Sequence, residues 1–322
     1  MDSNKGIFVM SLDTELAWGT IDKPKSYQKN LEYYKKTRKI IDKLLELFEK
    51  YEISATWAIV GHLFLKECCK DKQGIKHPEI IRPKTSWYEE DWFYLDPATN
   101  IEQDPCWYGL DIVEKIKNCK VEQEIGSHSF SHMVFSNPEL TEEAANSDIK
   151  KCIELANLLN LDLKSFVFPR NEEGFYNILK NNNFVCYRGK EESWYEEYPK
   201  KLQKLFHIID QTFAIKPKVH TPKENEGLYN IPASMLYLSR DSFRKFIPIK
   251  SREIKAKKGI DNAIKQKKIF HLWFHPFNLA TDEVKLFEGL ENILKYVDKK
   301  RSENLLEVKT MSQCVESKIT QI

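Results

Sequence analysis

Short apolar runs alternate with longer amphipathic stretches along most of this 322-residue chain, and this alternation limits the folds open to it. The apolar runs predict strands at residues 6–12, 53–60, 121–127, 165–168, 269–274 and 305–308. Apolar residues at helical spacing predict helices at residues 31–50, 110–118, 139–159, 174–182 and 282–299, a short helix after residue 60 and a last helix after residue 308. Repeated strand–helix units favour a parallel sheet, which is either an open doubly wound sheet or a barrel.

Two stretches depart from this alternation. Residues 70–107 are irregular, rich in proline, glycine and aromatic side chains, and are predicted to be a long functional loop or insertion. Residues 190–258 are basic and mixed, with a predicted strand at 207–213. Because no internal repeat is visible, we expect residues 1–322 to form a single catalytic domain that carries both stretches.

The charge balance indicates the kind of partner. There are 50 basic and 48 acidic residues, a formal net charge of +2, so no global field favours nucleic acid or an anionic membrane. No stretch approaches the roughly 20 apolar residues of a membrane span, and the first apolar run is too short for a signal peptide. These features predict a cytoplasmic protein whose partner is a small molecule or a glycan.

The cysteines argue against two structural classes. There are seven, an odd number, and no two of them form a CxxC pair, which argues against a zinc ribbon or a disulfide framework. We expect reduced thiols in buried or bystander positions, including the adjacent Cys68 and Cys69.

Groups with metal-binding or catalytic chemistry follow two of the predicted strands. Asp13 and Glu15 stand at the end of the first strand, where both carboxylates can point into one pocket, although one of them could simply cap the turn. His128 and His132 follow a later strand at a spacing of four, which would place both imidazoles on one side of a helical turn, ready to share a cation. Paired histidines also occur by chance, so this pattern alone leaves a structural role open.

Two further strands end in the same way. The strand at 269–274 delivers His275, which Pro276 would hold at the rim of the sheet, whereas His271 is more typical of a core histidine. The strand at 165–168 leads to Arg170, which could bind a carboxylate with both nitrogens or could lie at the surface. Because chance would seldom place such groups at four separate strand ends, we interpret them as one active site.

The chain resembles the polysaccharide deacetylases, carbohydrate esterases with a NodB-homology domain. His128-Ser129-Phe130-Ser131-His132 matches their His-Ser/Thr-x-x-His motif, and Asp13 matches the first aspartate of their Thr-Phe-Asp-Asp motif. The chain departs from the second position, where Thr14 stands in place of the metal-binding aspartate and Glu15 follows. The segments around Arg170 and His275 resemble the motifs that supply a bracing arginine and a general acid.

The resemblance implies a distorted (β/α) barrel with about seven parallel strands. It also implies a divalent cation, most simply Zn²⁺, held by Glu15, His128 and His132. Asp13 would act as the base, His275 as the acid, and Arg170 would hold Asp13 in place. Further candidate substrate contacts are Trp18, Trp92 and Asn171, although core packing is the commoner role of a tryptophan.

The expected reaction is removal of an N-acetyl or other N-acyl group from an amino sugar. With no export signal, we expect a nucleotide-linked or lipid-linked intermediate of a surface polysaccharide such as an O-antigen or capsule. Two alternatives stay open at this point. One is allantoinase-like hydrolysis of a cyclic or other non-sugar amide, and the other is a catalytically silent glycan-binding or scaffolding domain, suggested by Thr14.

Overall fold

Strand β1 (Gly6–Thr14) lies within a ten-stranded sheet in the computed structural model, which describes residues 5–316. The other strands are β2 (Thr56–Ile59), β3 (Glu124–Ser127), β4 (Ser165–Val167), β5 (Cys186–Arg188), β6 (Lys223–Asn225), β7 (Leu228–Asn230), β8 (Met235–Leu236), β9 (Ile269–Phe274) and β10 (Leu306–Val308). Their order is β6-β7-β5-β4-β3-β2-β1-β9-β8, and β10 also pairs with β1. Every pairing is parallel except β6 with β7.

One extended segment joins the two sides of this sheet. Ile231 N and Ala233 N donate to backbone oxygens at the end of β5. Ser234 N and Tyr237 N then donate to backbone oxygens of β9. Because the same segment pairs first with one side and then with the other, the sheet curls into a distorted α/β barrel, which confirms the predicted fold class.

Seven α-helices among the described residues connect and cover the strands: α1 (Pro24–Lys50), α2 (Leu110–Lys117), α3 (Glu142–Leu158), α4 (Tyr176–Asn181), α5 (Lys200–Thr212), α6 (Ile249–Gln266) and α7 (Glu283–Ser302). Helix α1 begins seven residues before its predicted start at 31, with Pro24 in its first turn, where the missing backbone N–H costs no hydrogen bond. No helix in the described part combines the length and apolarity needed to cross a membrane.

The second irregular stretch differs most from the prediction. The strand expected at 207–213 is wrong, because these residues belong to α5 and the turn after it. Apolar side chains at 202, 205, 206 and 209 recur at helical spacing. This periodicity is not visible within the seven residues of the predicted strand alone. Strand β5 and helix α6 were not predicted. Of the last predicted helix, the described residues include only a short turn, Ser312–Cys314.

Residues 70–107 contain neither a helix nor a strand, as predicted. They are nevertheless anchored, because Trp92, Phe93 and Trp107 are at most 2% exposed and belong to the main core. The insertion therefore lies against the barrel as part of its hydrophobic core.

Candidate active site

The predicted catalytic groups meet at the carboxyl end of the central strands. β2 pairs with β1 and β3, and β1 also pairs with β9, all in parallel, so the groups that follow β1, β3 and β9 lie at one edge of the sheet. Asp13, Glu15, His128 and His132 are each at most 6% exposed, whereas the His275 side chain is 22% exposed. Access from solvent is therefore on the side of His275.

Asp13 forms a buried ion pair with Arg188, the last residue of β5. The Nη1 and Nη2 atoms of Arg188 donate to the two carboxylate oxygens of Asp13 at 2.6 and 2.7 Å. Burial alone would raise the pKa of Asp13, but the charge and hydrogen bonds of Arg188 outweigh it and lower the pKa. Asp13 is therefore an ionised carboxylate at neutral pH.

Arg188 is itself fixed on several sides. It donates to Ser11 Oγ at 3.1 Å and to Asn171 Oδ1 at 2.8 Å, and its guanidinium lies 4.2 Å from the centroid of the Trp273 ring. These contacts leave the guanidinium little freedom to turn away from Asp13. Asn171 thus supports the arginine, and its amide oxygen is occupied by that contact.

The prediction that Arg170 braces Asp13 is wrong. Arg170 Nη2 donates to both carboxylate oxygens of Asp22, at 2.6 and 2.5 Å, and not to Asp13. Asp22 also accepts a 2.7 Å hydrogen bond from Nε1 of Trp87. The physical reason is the backbone after β4, where Arg170 has a φ of 61° and leaves the line of the strand. Its side chain is therefore anchored at Asp22, away from Asp13.

Glu15 lies among three imidazoles. Its Oε2 is 3.0 Å from His132 Nε2 and 3.5 Å from His128 Nε2, and its Oε1 is 3.5 Å from His275 Nε2. Burial alone would raise the pKa of Glu15, but the neighbouring histidines lower it well below its usual value. Burial lowers the pKa of His132. A carboxylate and neutral imidazoles are the forms that bind a divalent cation.

Two features fit Glu15, His128 and His132 to a divalent cation. The Nδ1 of His128 lies 2.7 Å from the backbone oxygen of Val167, an N–H···O contact that leaves Nε2 as a lone pair. That Nε2 is buried and has no hydrogen-bond partner among the described residues. One ligand atom from each of the three residues lies within 4.8 Å of the others. The donor set of two nitrogens and an oxygen suits zinc.

Gly19 allows Glu15 to reach this position. A Cβ at residue 19 would lie 2.1 Å from Glu15 Oε1 and 2.8 Å from Oε2, far inside any van der Waals contact. Glycine is therefore the only residue that fits beside the carboxylate in its observed position.

The two histidines do not share a helical turn as predicted, because residues 128–132 form a loop. Ser129 and His132 have φ values of 63° and 58°. Asp148 of α3 holds the loop: it accepts hydrogen bonds from the backbone N–H groups of Phe130 and Ser131 and from the Ser131 hydroxyl, at 2.7, 2.9 and 2.6 Å. This buried carboxylate, and not helical spacing, brings the imidazoles together.

His275 and His271 have the different environments that the sequence predicts. His275 Nε2 lies 3.8 Å from Asp13 Oδ2, and its Nδ1 is 3.4 Å from the Asn278 side-chain nitrogen. His271 is fully buried, contacts Ser11 Oγ at 2.9 Å, and burial lowers its pKa to about 3. His271 is therefore a neutral core residue, whereas His275 faces both carboxylates.

The predicted substrate contacts of Trp18 and Trp92 are not available. Trp18 is fully buried against His62, and Trp92 is 2% exposed with its Nε1 bonded to Ser131. Trp87 is 42% exposed and anchored to Asp22, beside the guanidinium of Arg170. Of the tryptophans in the insertion, Trp87 is thus the exposed one.

Sequence reasoning missed Arg188, Asp148 and Asp22. Arg188 had a usable signal, because the apolar run at 184–187 ends in a charged residue just as the other strands do. Asp148 and Asp22 carry no comparable signal, since single acidic residues near a helix are common.

No protein-family model matches the sequence, and no curated protein matches it either. Solved structures do match in fold. A structure described as a polysaccharide deacetylase from Mycobacterium smegmatis has a TM-score of 0.65 at 11% identity, over 100% of this chain and 93% of that chain. One so described from Pseudomonas aeruginosa PAO1 has a TM-score of 0.59 at 10% identity, over 97% and 90%.

A structure of the allantoinase Puue has a TM-score of 0.59 at 9% identity, over 98% of this chain and 90% of that chain. Each of these likenesses spans nearly the whole of both proteins, so it concerns the entire barrel and not one motif. The chain therefore has the fold of the polysaccharide deacetylases.

Proposed function

We propose that this protein is a metal-dependent hydrolase that removes an N-acetyl or other N-acyl group from an amino sugar. One observation carries the proposal: an ionised carboxylate paired with arginine, a Glu-His-His set and a partly exposed histidine converge at one end of the barrel. The likeness in fold to polysaccharide deacetylases supports the same reaction.

The residues divide the work of amide hydrolysis between them. Asp13, kept ionised by Arg188, accepts the proton of the attacking water. His275, the most exposed of the group, donates a proton to the departing amine. Glu15, His128 and His132 hold a divalent cation, which when bound polarises the carbonyl and lowers the pKa of water.

The substrate proposal rests on Trp87 and on the expected location. Trp87 has a 42% exposed indole anchored to Asp22, and aromatic faces commonly stack on apolar faces of ligands. We infer that a sugar ring lies against it. A cytoplasmic enzyme would meet a nucleotide-linked or lipid-linked intermediate of a surface polysaccharide.

The test is release of acetate or formate from N-acylated sugar nucleotides and lipid-linked amino sugars, measured by mass spectrometry. Wild-type protein should release the acyl group, and Asp13→Asn and His275→Ala should not. His207→Ala is a matched control, because His207 lies on α5 and contacts Tyr195 instead of the site. No release from any such substrate, while a positive-control deacetylase is active, would refute the proposal.

Metal content tests the Glu-His-His set separately. Elemental analysis of zinc-supplied protein should find about one divalent ion per chain fewer in Glu15→Ala and in His128→Ala than in the wild type. If both variants bind as much zinc as the wild type, the proposed metal dependence is wrong.

A second candidate is hydrolysis of a cyclic amide. The similarity in fold to an allantoinase favours it, as does Thr14 at the position of the usual aspartate ligand. Activity on cyclic ureides by metal-free protein would support this candidate over the first. If neither substrate class is turned over by metal-loaded protein, the silent glycan-binding domain becomes the better explanation.

A further inference from the structure

A second group of metal-binding side chains lies outside the candidate active site. His62, Cys68, His77 and Asp96 each place one ligand atom within 4.8 Å of the others. His62 follows β2, Cys68 lies just before the insertion, and His77 and Asp96 lie inside it. His62, His77 and Asp96 are at most 5% exposed.

The separations are close to those of a tetrahedral site. His62 Nε2 and His77 Nε2 are 3.1 Å apart, and Asp96 Oδ2 lies 3.7 and 3.0 Å from them. Cys68 Sγ is 3.7 Å from the same oxygen. Tetrahedral zinc with nitrogen at about 2.0–2.1 Å and sulfur at about 2.3 Å places its ligands roughly 3.3–3.6 Å apart.

Two acceptor atoms of this cluster compete for one imidazole hydrogen. His62 Nδ1 lies 3.2 Å from the backbone oxygen of Trp107, so Nδ1 carries the hydrogen and Nε2 is a lone pair. His77 Nε2 has at most one hydrogen to give, either to His62 or to Asp96. A cation between His62 Nε2, His77 Nε2 and Asp96 Oδ2 would instead give all three atoms a partner at once.

The surroundings orient the ligands as they do in metal sites. His62 Nδ1 faces a backbone carbonyl, and His77 Nδ1 lies 3.7 Å from Glu79 Oε1. The other oxygen of Asp96 accepts a 2.9 Å hydrogen bond from Ala98 N, which leaves Oδ2 for the cluster. Contacts of this kind fix the tautomer and the orientation of metal ligands.

We propose that His62, Cys68, His77 and Asp96 bind a structural zinc ion that fastens the insertion to the barrel. Two imidazoles, a thiolate and a carboxylate fill all four positions of tetrahedral zinc, so the site has none open for substrate. An insertion with neither helix nor strand gains order from such a cross-link, because binding free energy adds to folding free energy.

The same ion would also support the loop that carries His128 and His132. Phe130, between the two catalytic-site histidines, has its ring centroid 5.6 Å from that of His62 and 5.3 Å from that of His77. His62 N also donates to Phe130 O at 3.0 Å. The zinc cluster and the loop that carries His128 and His132 therefore share one packed layer.

Cobalt substitution tests the proposal without relying on activity. A thiolate bound to Co²⁺ has a sulfur-to-metal charge-transfer band in the near ultraviolet, and the Glu-His-His set contains no sulfur. Metal-stripped wild-type protein given Co²⁺ should show this band, and Cys68→Ser should lose it. Cys69→Ser, which changes the adjacent exposed cysteine, and Glu15→Ala, which removes the other site, should both retain it.

A wild-type protein without the band, or a Cys68→Ser variant that keeps it, would overturn the proposal. If Cys68→Ser does not fold, Asp96→Asn is the variant to test in its place. Its amide oxygen can still accept the hydrogen bond from Ala98 N. A readout that leaves all four ligands of the second site unchanged is limited proteolysis of Glu15→Ala: a chelator should expose new cleavage sites within residues 70–107. Unchanged cleavage would also refute the structural zinc. Because Glu15→Ala lacks the catalytic-site cation, neither test depends on the proposed hydrolysis.

Discussion

Replacing Arg188 with alanine removes the cation that keeps Asp13 ionised. The two side chains are 0% and 4% exposed, so the variant leaves a buried carboxylate without its charged partner. Removing one member of a buried ion pair typically costs about 3–5 kcal/mol. Denaturation by urea at neutral pH should show a loss of that order in the free energy of unfolding.

The pH dependence of this loss has a definite sign. In the wild type the pKa of Asp13 is lowered, so the ion pair stabilises the fold above the unfolded pKa of about 3.9 and the stabilisation is lost as the pH falls through the folded value. Without Arg188, burial is expected to raise this pKa. The penalty is then full above the raised pKa, shrinks as the pH falls below it, and is gone below the unfolded pKa of about 3.9. The stability gap between the two proteins should therefore shrink in acid.

Activity gives an independent measurement. The acidic limb of the kcat/KM profile reports ionisation of the base in the free enzyme, so Arg188→Ala should move it to higher pH. Arg188→Lys keeps the charge but not the bidentate geometry, so its acidic limb should lie between those of the wild type and Arg188→Ala. Arg170→Ala is the matched control, because it removes an arginine bound to Asp22. An acidic limb that moves in Arg170→Ala but not in Arg188→Ala would refute this reasoning.

Three other positions give sharp expectations. Gly19→Ala should weaken metal binding on the order of ten- to a hundredfold by titration, because its Cβ would displace the Glu15 carboxylate; unchanged affinity would contradict the close packing. Asp148→Asn should destabilise the fold by about 1–3 kcal/mol in urea, since an amide cannot accept all three hydrogen bonds of the loop, whereas exposed Glu154→Gln on the same helix should not. Trp87→Ala should raise KM roughly two- to tenfold with little change in kcat, and an unaltered KM would remove Trp87 from the substrate site.

The strands that carry the site could be predicted because their residues are local signals. β1 and β9 are continuous buried runs that end in polar groups, and the parallel pairing brings these ends together. The prediction of Asp13, Glu15 and His275 as site residues therefore required only the positions of two strands. His128 and His132 were placed in the right region by their motif, but the geometry of their loop depends on Asp148, which is distant in sequence.

The insertion could not be interpreted in this way. The residues of the proposed second metal site are spaced irregularly along the chain, with neither a CxxC pair nor a His-x-x-x-His pattern among them. They converge because residues 70–107 bury aromatic side chains in the barrel core. Such a site is set by tertiary packing, and a search for fixed spacings cannot detect it.

The error over Arg170 shows how the barrel limits inference from motifs. A buried Asp13 needs one cation within hydrogen-bonding distance, but neighbouring parallel strands bring their carboxyl ends to the same rim. β4 and β5 are such neighbours; Arg170 follows the end of β4, and Arg188 is the last residue of β5. The chain after β4 turns through a left-handed conformation at Arg170, while Arg188 is still within its strand, fully buried and directed at Asp13. Which arginine acts is therefore decided by backbone direction at the strand end, and the Arg170→Ala and Arg188→Ala pair tests that decision directly.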